Sequence, residues 1–187
     1  MIIIGTAGKQ NAGKDALVDY LQDRHGFRKL STGDIIRNLA EREGVPRTRK
    51  KLQDVASELI SRRGEHYLAG LLIRRIEERD WDRVGIPGLR TPADVRTLKD
   101  RFPDAFTLVH VKTEDPDLRF RRGKDRGESR DTDSYEEFIE NDRSEEELFD
   151  LKRTLNMAEI IIQNDGSMED FHRQIEEKVV DPLINGT

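Results

Sequence analysis

Met1-Ile2-Ile3-Ile4-Gly5-Thr6, running almost directly into Gly8-Lys9-Gln10-Asn11-Ala12-Gly13-Lys14-Asp15, is the stretch on which the fold turns. The first half is an apolar run of β-strand length. The second fits G-x-x-x-x-G-K-[ST] at every fixed position except the last, where Asp15 stands in place of Ser or Thr. Ala16, Leu17, Tyr20 and Leu21 then fall at helical spacing. Strand, glycine-rich turn and helix together make the context in which this pattern binds phosphate. Glycines let the backbone close around an anion. Successive amides and a helix N-terminus point at it, and Lys14 adds a point charge for the outer phosphates. A tight strand-to-helix turn with a chance lysine is the competing reading; agreement of pattern and context disfavours it. The chain therefore reads as a nucleotide-binding protein, with Gly8, Asn11, Ala12, Gly13, Lys14, Asp15 and Ala16 around the phosphates.

Outward from this loop, apolar segments at residues 2–6, 27–30, 84–86, 106–111 and 160–162 alternate with helical patterns. The helices are expected at 14–23, 34–42, 49–62, 66–79, 91–102 and 168–179. Such alternation predicts an α/β fold with a mostly parallel five-stranded sheet flanked by helices in three layers, its ligands at the carboxyl ends of the strands. The segment 119–147 differs: it is crowded with charge. Its first part, 123–134, reads as a mobile loop and 135–142 as a helix. No repeat or linker interrupts the chain, so 1–187 is expected to be one domain.

Composition narrows the function classes. A net charge of −5 argues against non-specific nucleic-acid binding, which needs a basic field. There is no cysteine, which removes disulfides, thiolate catalysis and Cys-based metal sites. The four histidines are scattered without ligand spacing. The first residues read as a core strand, and no apolar run approaches the ~18 residues of a membrane span. A cytoplasmic protein without a membrane partner, monomeric or a small homo-oligomer, is the expectation.

After the second apolar segment comes Leu30-Ser31-Thr32-Gly33-Asp34-Ile35-Ile36-Arg37. It resembles the S-T-G-D-x-x-R element of adenylate kinases, in which the threonine and arginine hold the acceptor monophosphate. Asp34 reads as a helix N-cap, with Arg37 one turn into the helix. Gly85-Ile86-Pro87-Gly88-Leu89-Arg90 resembles the D-G-F-P-R segment of adenylate kinases and the D-G-I-R segment of archaeal adenylate-kinase-related proteins. Arg90 then becomes a second arginine on the acceptor phosphate. Pro87 replaces the aspartate that in those families helps to organise Mg²⁺. One carboxylate is lost there and another gained at Asp15. A carboxylate is a hard ligand that suits Mg²⁺, so Asp15 is a candidate for the metal; a plain first-turn acid favoured by the helix dipole is the other reading.

Arg122 and Arg126 form R-x-x-x-R, similar to the start of the lid in nucleoside monophosphate kinases. Arg130-Asp131 and Asn141-Asp142-Arg143 resemble the later lid arginines and acids, and Arg143 is assigned to the acceptor. Gln163-Asn164-Asp165-Gly166 matches the position that lies against adenine, giving Asn164 and Gly166 as ATP contacts. The resemblance runs from Ile2 to about Val180 and includes the archaeal-type N-x-G-S-x-E-x-F pattern (Asn164, Gly166, Ser167, Glu169, Phe171).

These likenesses identify the chain with the P-loop nucleoside monophosphate kinase superfamily, near the archaeal adenylate-kinase-related and dephospho-CoA-kinase-like proteins. They imply an ATP- and Mg²⁺-dependent kinase acting on a nucleoside monophosphate. They also imply an acceptor-binding helical insert at about 32–80 and a lid at about 119–145. Lys14, Arg90, Arg122, Arg126 and Arg130 become the catalytic cations; Thr32, Asp34, Arg37, Arg90 and Arg143 become the acceptor set. Two alternatives stay open. One is dephospho-CoA kinase, whose hydroxyl acceptor calls for a base, with Asp34 as the candidate. The other is an ATP-binding regulator or assembly factor with weak ATPase activity, supported by the loss of the acid at Pro87.

Overall fold

The structure, a computed structural model, describes residues 1–128 and 131–186. Five strands form one sheet: β1 (Ile2–Ala7), β2 (Arg28–Lys29), β3 (Arg83–Ile86), β4 (Phe106–Lys112) and β5 (Ile160–Gln163), in the order β2-β3-β1-β4-β5. Every pairing is parallel, with Ile3 opposite Val84 on one side and Phe106 on the other. All five expected strands are present, and the expected parallel α/β sheet with helical layers is the one observed.

β1 is central, which explains its uninterrupted apolar sequence: both faces are covered. Ile3 and Ala7 join one core with Leu72, Ile76, Val95 and Leu98, from α4 (Tyr67–Arg79) and α5 (Pro92–Arg101). Ile4 joins the other with Leu17 and Leu21 of α1 (Lys14–His25) and Phe171 and Ile175 of α9 (Met168–Ile175). Leu17 and Leu72 are fully buried, and each such side chain stabilises by about 1.5–3 kcal/mol relative to exposure. A third, smaller core packs Ile36 and Ala40 of α2 (Thr32–Arg42) on Val55 of α3 (Arg49–Arg63) and Leu68 of α4. This helical unit stands beside the carboxyl end of the sheet. The strand order reverses at β1, between β3 and β4, and leaves a crevice above it.

Five local differences from the sequence expectations stand out. α2 begins at Thr32, not Asp34: the Ser31 hydroxyl accepts from Gly33 N at 3.0 Å, so Ser31 is the cap and Asp34 lies in the first turn. Residues 123–126 are helical, not loop. They end α6 (Pro116–Arg126), which Asp115 caps at its start and Gly127, at φ 63°, terminates in the left-handed region. α7 runs Tyr135–Phe149 rather than stopping at 142, because Phe138, Asp142, Glu145 and Phe149 keep one inward stripe at spacings that suit a helix. α8 (Leu151–Leu155) was not anticipated. α9, expected to run on to residue 179, gives way to a π-helical segment, Glu176–Asn185, which contains Pro182.

Candidate functional site

The turn between β1 and α1 is built around close backbone approaches. A Cβ on Gly8 would stand 2.3 Å from the Val111 carbonyl oxygen, and one on Gly13 2.2 Å from Asn164 Nδ2. Gly13 also adopts φ 105°, which a side chain disfavours. Asn11 sits at φ 59°, a region asparagine tolerates better than most residues. From below, Asn164 Nδ2 donates to the Ala12 carbonyl at 2.8 Å, and the buried Thr113 hydroxyl lies 3.1 Å from the same oxygen. α1 then starts at Lys14 with no side chain capping it. Its first amides are thus available to an anion in the crevice.

Lys14 Nζ donates to the carbonyls of Gly8 (2.8 Å) and Lys9 (2.6 Å), inside the loop itself. Burial lowers its pKa to about 8; Arg90 and Arg49 push the same way, while Glu145 and Asp15 oppose them. Lys14 lies on the floor of a cleft of about 300 Å³. Arg37, Arg49, Arg90, Arg122, Arg126 and Glu145 are among its walls.

Glu145 is the organising anion of this cleft. Its side chain is 8% exposed, one oxygen accepts from Arg90 Nε, and the other lies 3.5 Å from Arg49 Nη1. Burial alone would raise this carboxyl; Arg90, Arg49 and Lys14 outweigh it and hold the pKa at about 2. Arg37 also lines the cleft and pairs with Asp34 at 2.5 Å. Asp34 itself is largely exposed and borders an outer, mixed-charge pocket with Asp15, Asp19 and Lys29. Thr32 is buried, and the cleft wall at this point is Ser31 and Gly33.

The charged segment after β4 grips the loop from the other side. Arg119 is 3% exposed and makes paired hydrogen bonds to Asp142, 3.0 and 2.9 Å long. Arg119 also donates to the Gln10 carbonyl at 3.0 Å, and Asp142 accepts from Gln10 N at 3.3 Å. Arg122 reaches the Thr113 hydroxyl and Asn164 Oδ1 at 3.2 and 3.3 Å. Arg126 donates to Asn11 Oδ1 at 2.9 Å and to Asp131 at 2.8 Å. Arg130 lies outside the described residues.

Arg143 does not reach the cleft. It is 68% exposed and 3.9 Å from Glu140, because one residue beyond Asp142 a helix has turned about 100° toward solvent. Gly166 lies in the turn before α9, while the neighbouring Asn164 side chain is buried under the loop. Asp15 lines the cleft, is half-exposed, and pairs with Lys29 Nζ at 3.0 Å. Ala16 lines the cleft too. Among the described residues no cluster of three His, Asp or Glu could hold a metal ion. No helix of the described residues is long and apolar enough to cross a membrane.

Sequence reasoning missed Arg49 and Glu145, gave no role to Arg119, and read Asp142 only as one of the later lid acids, whereas the structure buries it against Arg119 and Gln10. A signal existed for Glu145: it lies seven residues after Phe138 and four before Phe149, an acid on an apolar helical stripe.

A family model described as "AAA domain" matches residues 8–139. A UPF0200 protein of Thermococcus sibiricus is 31% identical over 177 residues, covering 94% of this chain and 92% of the relative. A UPF0200 protein of Thermococcus onnurineus is 31% identical, with 96% of each chain covered. Among solved structures, the shikimate kinase of Bacteroides thetaiotaomicron superposes with a TM-score of 0.62, covering 98% of both chains at 17% identity. A gluconokinase of Sinorhizobium meliloti gives 0.56 at 12% identity, covering 98% of this chain and 94% of that one. At these identities the two structures establish likeness of fold.

Proposed function

The chain belongs to the AAA-domain family and to the UPF0200 proteins, with a P-loop kinase-like fold, and on that premise we propose that it transfers the γ-phosphoryl group of ATP to a nucleoside monophosphate. The observation that carries this reading is convergence of cations on one cleft. Lys14 and Ala16, at the start of α1, line it together with Arg37, Arg49 and Arg90; in this reading the first group takes the donor phosphates and the second the acceptor. A protein that only bound ATP as a switch would have no use for that second set.

In this reading the acceptor phosphate oxygen attacks the γ-phosphorus in line while the bond to the β–γ bridging oxygen breaks. The products are ADP and a nucleoside diphosphate. An acceptor dianion is already nucleophilic, so no general base is required. The chain's contribution is positioning and charge. Lys14 and the loop amides hold the donor phosphates. Arg122 and Arg126 supply charge to the γ-phosphoryl oxygens and help to exclude water. Arg37, Arg49 and Arg90 hold the acceptor. Mg²⁺ bound mainly through phosphates and water needs few protein ligands, and Asp15, a carboxylate on the cleft wall next to Lys14, fits that limited role. The metal would neutralise phosphate charge. The proposed organisation is a single domain, with acceptor helices within about 32–80 and a lid within about 119–145.

Dephospho-CoA kinase is less well supported. Its hydroxyl acceptor calls for a base, and Asp34 is engaged by Arg37 at the outer pocket. The deciding experiment is a screen of nucleoside monophosphates and dephospho-CoA with ATP and Mg²⁺, reading ADP and the phosphorylated product. Product from one or more monophosphates is the expected result. Product from dephospho-CoA alone, or ADP release without any phosphorylated acceptor, would reject this reading.

A further inference from the structure

Among the acids that line the cleft, Glu145 is the deeply buried one, and its partners are two of the guanidiniums assigned above to the acceptor phosphate. Asp15 and Asp19, by contrast, are half-exposed and pair with Lys29. A carboxylate that bridges two arginines does what an oxyanion ligand would do there. It also raises the threshold for any such ligand. A monocarboxylate entering the cleft would replace one unit of negative charge on the arginines with another and gain little. A phosphate monoester brings two charges and three oxygens to the same donors, so it can displace or share with Glu145 at a net electrostatic gain.

Lys14 follows the same plan, since its ammonium rests on the Gly8 and Lys9 carbonyls. Each side of the cleft thus supplies an internal acceptor for its own cations. Glu145 also sits one turn after Asp142 on α7, and Asp142 accepts from the amide of Gln10 in the phosphate loop. The carboxylate is therefore carried on a helix fixed at its neighbouring turn and is not on a loose side chain that could swing out freely.

We propose that Glu145 is a specificity-determining residue: its carboxylate occupies the Arg49–Arg90 pair as an internal anion, admitting phosphate monoesters to the acceptor site and excluding monocarboxylates. The inference rests on the acceptor reading given above and deepens it.

The test measures binding of inorganic phosphate and of acetate by calorimetry, with the phosphate loop saturated by a non-hydrolysable ATP analogue so that only the acceptor side is titrated. Wild type, Glu145→Gln and Arg90→Ala are compared. Wild type is expected to bind phosphate and not acetate. Glu145→Gln should bind phosphate at least about tenfold more tightly, because a like charge has been removed, and should acquire measurable acetate binding. Arg90→Ala should lose phosphate binding. Unchanged or weaker phosphate binding in Glu145→Gln, with Arg90→Ala impaired, would overturn the proposal and leave Glu145 as a residue that merely orients the arginines. Unaltered binding in Arg90→Ala would instead overturn the acceptor assignment beneath it. Should Glu145→Gln fail to fold with two partly buried guanidiniums left short of charge, Glu145→Asp serves: its carboxylate is one methylene short of bridging both arginines. The same direction of change is then expected, to a smaller degree, and weaker phosphate binding would sink the idea.

Discussion

Arg119 and Asp142 face each other inside the protein through two parallel hydrogen bonds of 3.0 and 2.9 Å, and both also touch the backbone of Gln10. One ion pair thus fastens α6, α7 and the phosphate loop together. Among the described residues, neither member is more than 10% exposed at its side chain. Removing one partner strands a buried charge, which is far more costly than losing a surface pair.

Asp142→Ala should therefore lose about 3–5 kcal/mol of stability. Arg143→Ala, one residue away on the exposed face of α7, should stay within about 0.5 kcal/mol of wild type. Urea unfolding of the three proteins is the measurement. Equal stabilities would mean that the pair is not a clamp. ATP affinity should fall in Asp142→Ala as well, since Gln10 N loses its acceptor.

Lys14→Met should leave the fold intact and lower kcat/KM for phosphoryl transfer by about 10²–10³, the scale seen when one preorganised charge is taken from a transition state. Steady-state kinetics with an accepted monophosphate measures it. Turnover near the wild-type rate would remove Lys14 from the catalytic set.

Lys14 also predicts a pH signature. Its pKa is about 8, depressed mainly by burial. Bound phosphates are anions, and they raise it. At pH near 8.5, therefore, part of the population holds neutral Lys14 and takes up a proton when ATP binds. Well below pH 8 the ammonium is already formed and no uptake is expected. Calorimetry in buffers of different ionisation enthalpy detects the proton. The uptake should vanish in Lys14→Met, and its persistence there would assign it to another group.

Gly13 and Asn164 form a coupled pair. A methyl group on Gly13 would lie 2.2 Å from Asn164 Nδ2, on a backbone at φ 105°. Gly13→Ala should thus destabilise the protein by about 1–3 kcal/mol and weaken ATP binding. Asn164→Ala alone removes the bond to Ala12 O. In the double variant the collision is gone, so its loss should be smaller than the sum of the two single losses by at least about 0.5 kcal/mol. Strict additivity would show that the cost is all in the backbone angle.

Much of this arrangement was written in local sequence. The strands and the phosphate loop follow from Ile2 to Lys14 and from the alternation of periods, because each element carries its own apolar pattern. Arg37 and Arg90, each following a strand end, were legible as residues of the cleft that they line. The residues that were missed are those whose roles depend on tertiary pairing. Arg49 starts α3, some forty residues from Arg90 and nearly a hundred from Glu145, and nothing nearby marks it as an anion ligand. Glu145 reads as one of many acids until α7 is extended to Phe149. Arg143 was misplaced for the same reason: without the helical phase of α7, an arginine beside Asp142 looks equivalent to one turned inward.

Asp15 offers the final test. It stands where the usual loop has Ser or Thr, lines the cleft, and pairs with Lys29 at 3.0 Å. If the carboxylate shares in holding Mg²⁺, removing it should raise the Mg²⁺ concentration needed for half-maximal activity. Asp15→Ala, with no ligand left, is expected to need about tenfold more, and Asp15→Ser, which restores a hydroxyl, to fall nearer wild type. Lys29→Met is the control that separates the two roles, for it removes the ion pair and leaves the carboxylate in place. It should lower the Mg²⁺ requirement or leave it unchanged, because an adjacent ammonium competes with the metal for the same oxygen. Identical Mg²⁺ titrations for wild type and both Asp15 variants would reduce Asp15 to an acid in the first turn of α1, held there by the helix dipole and Lys29.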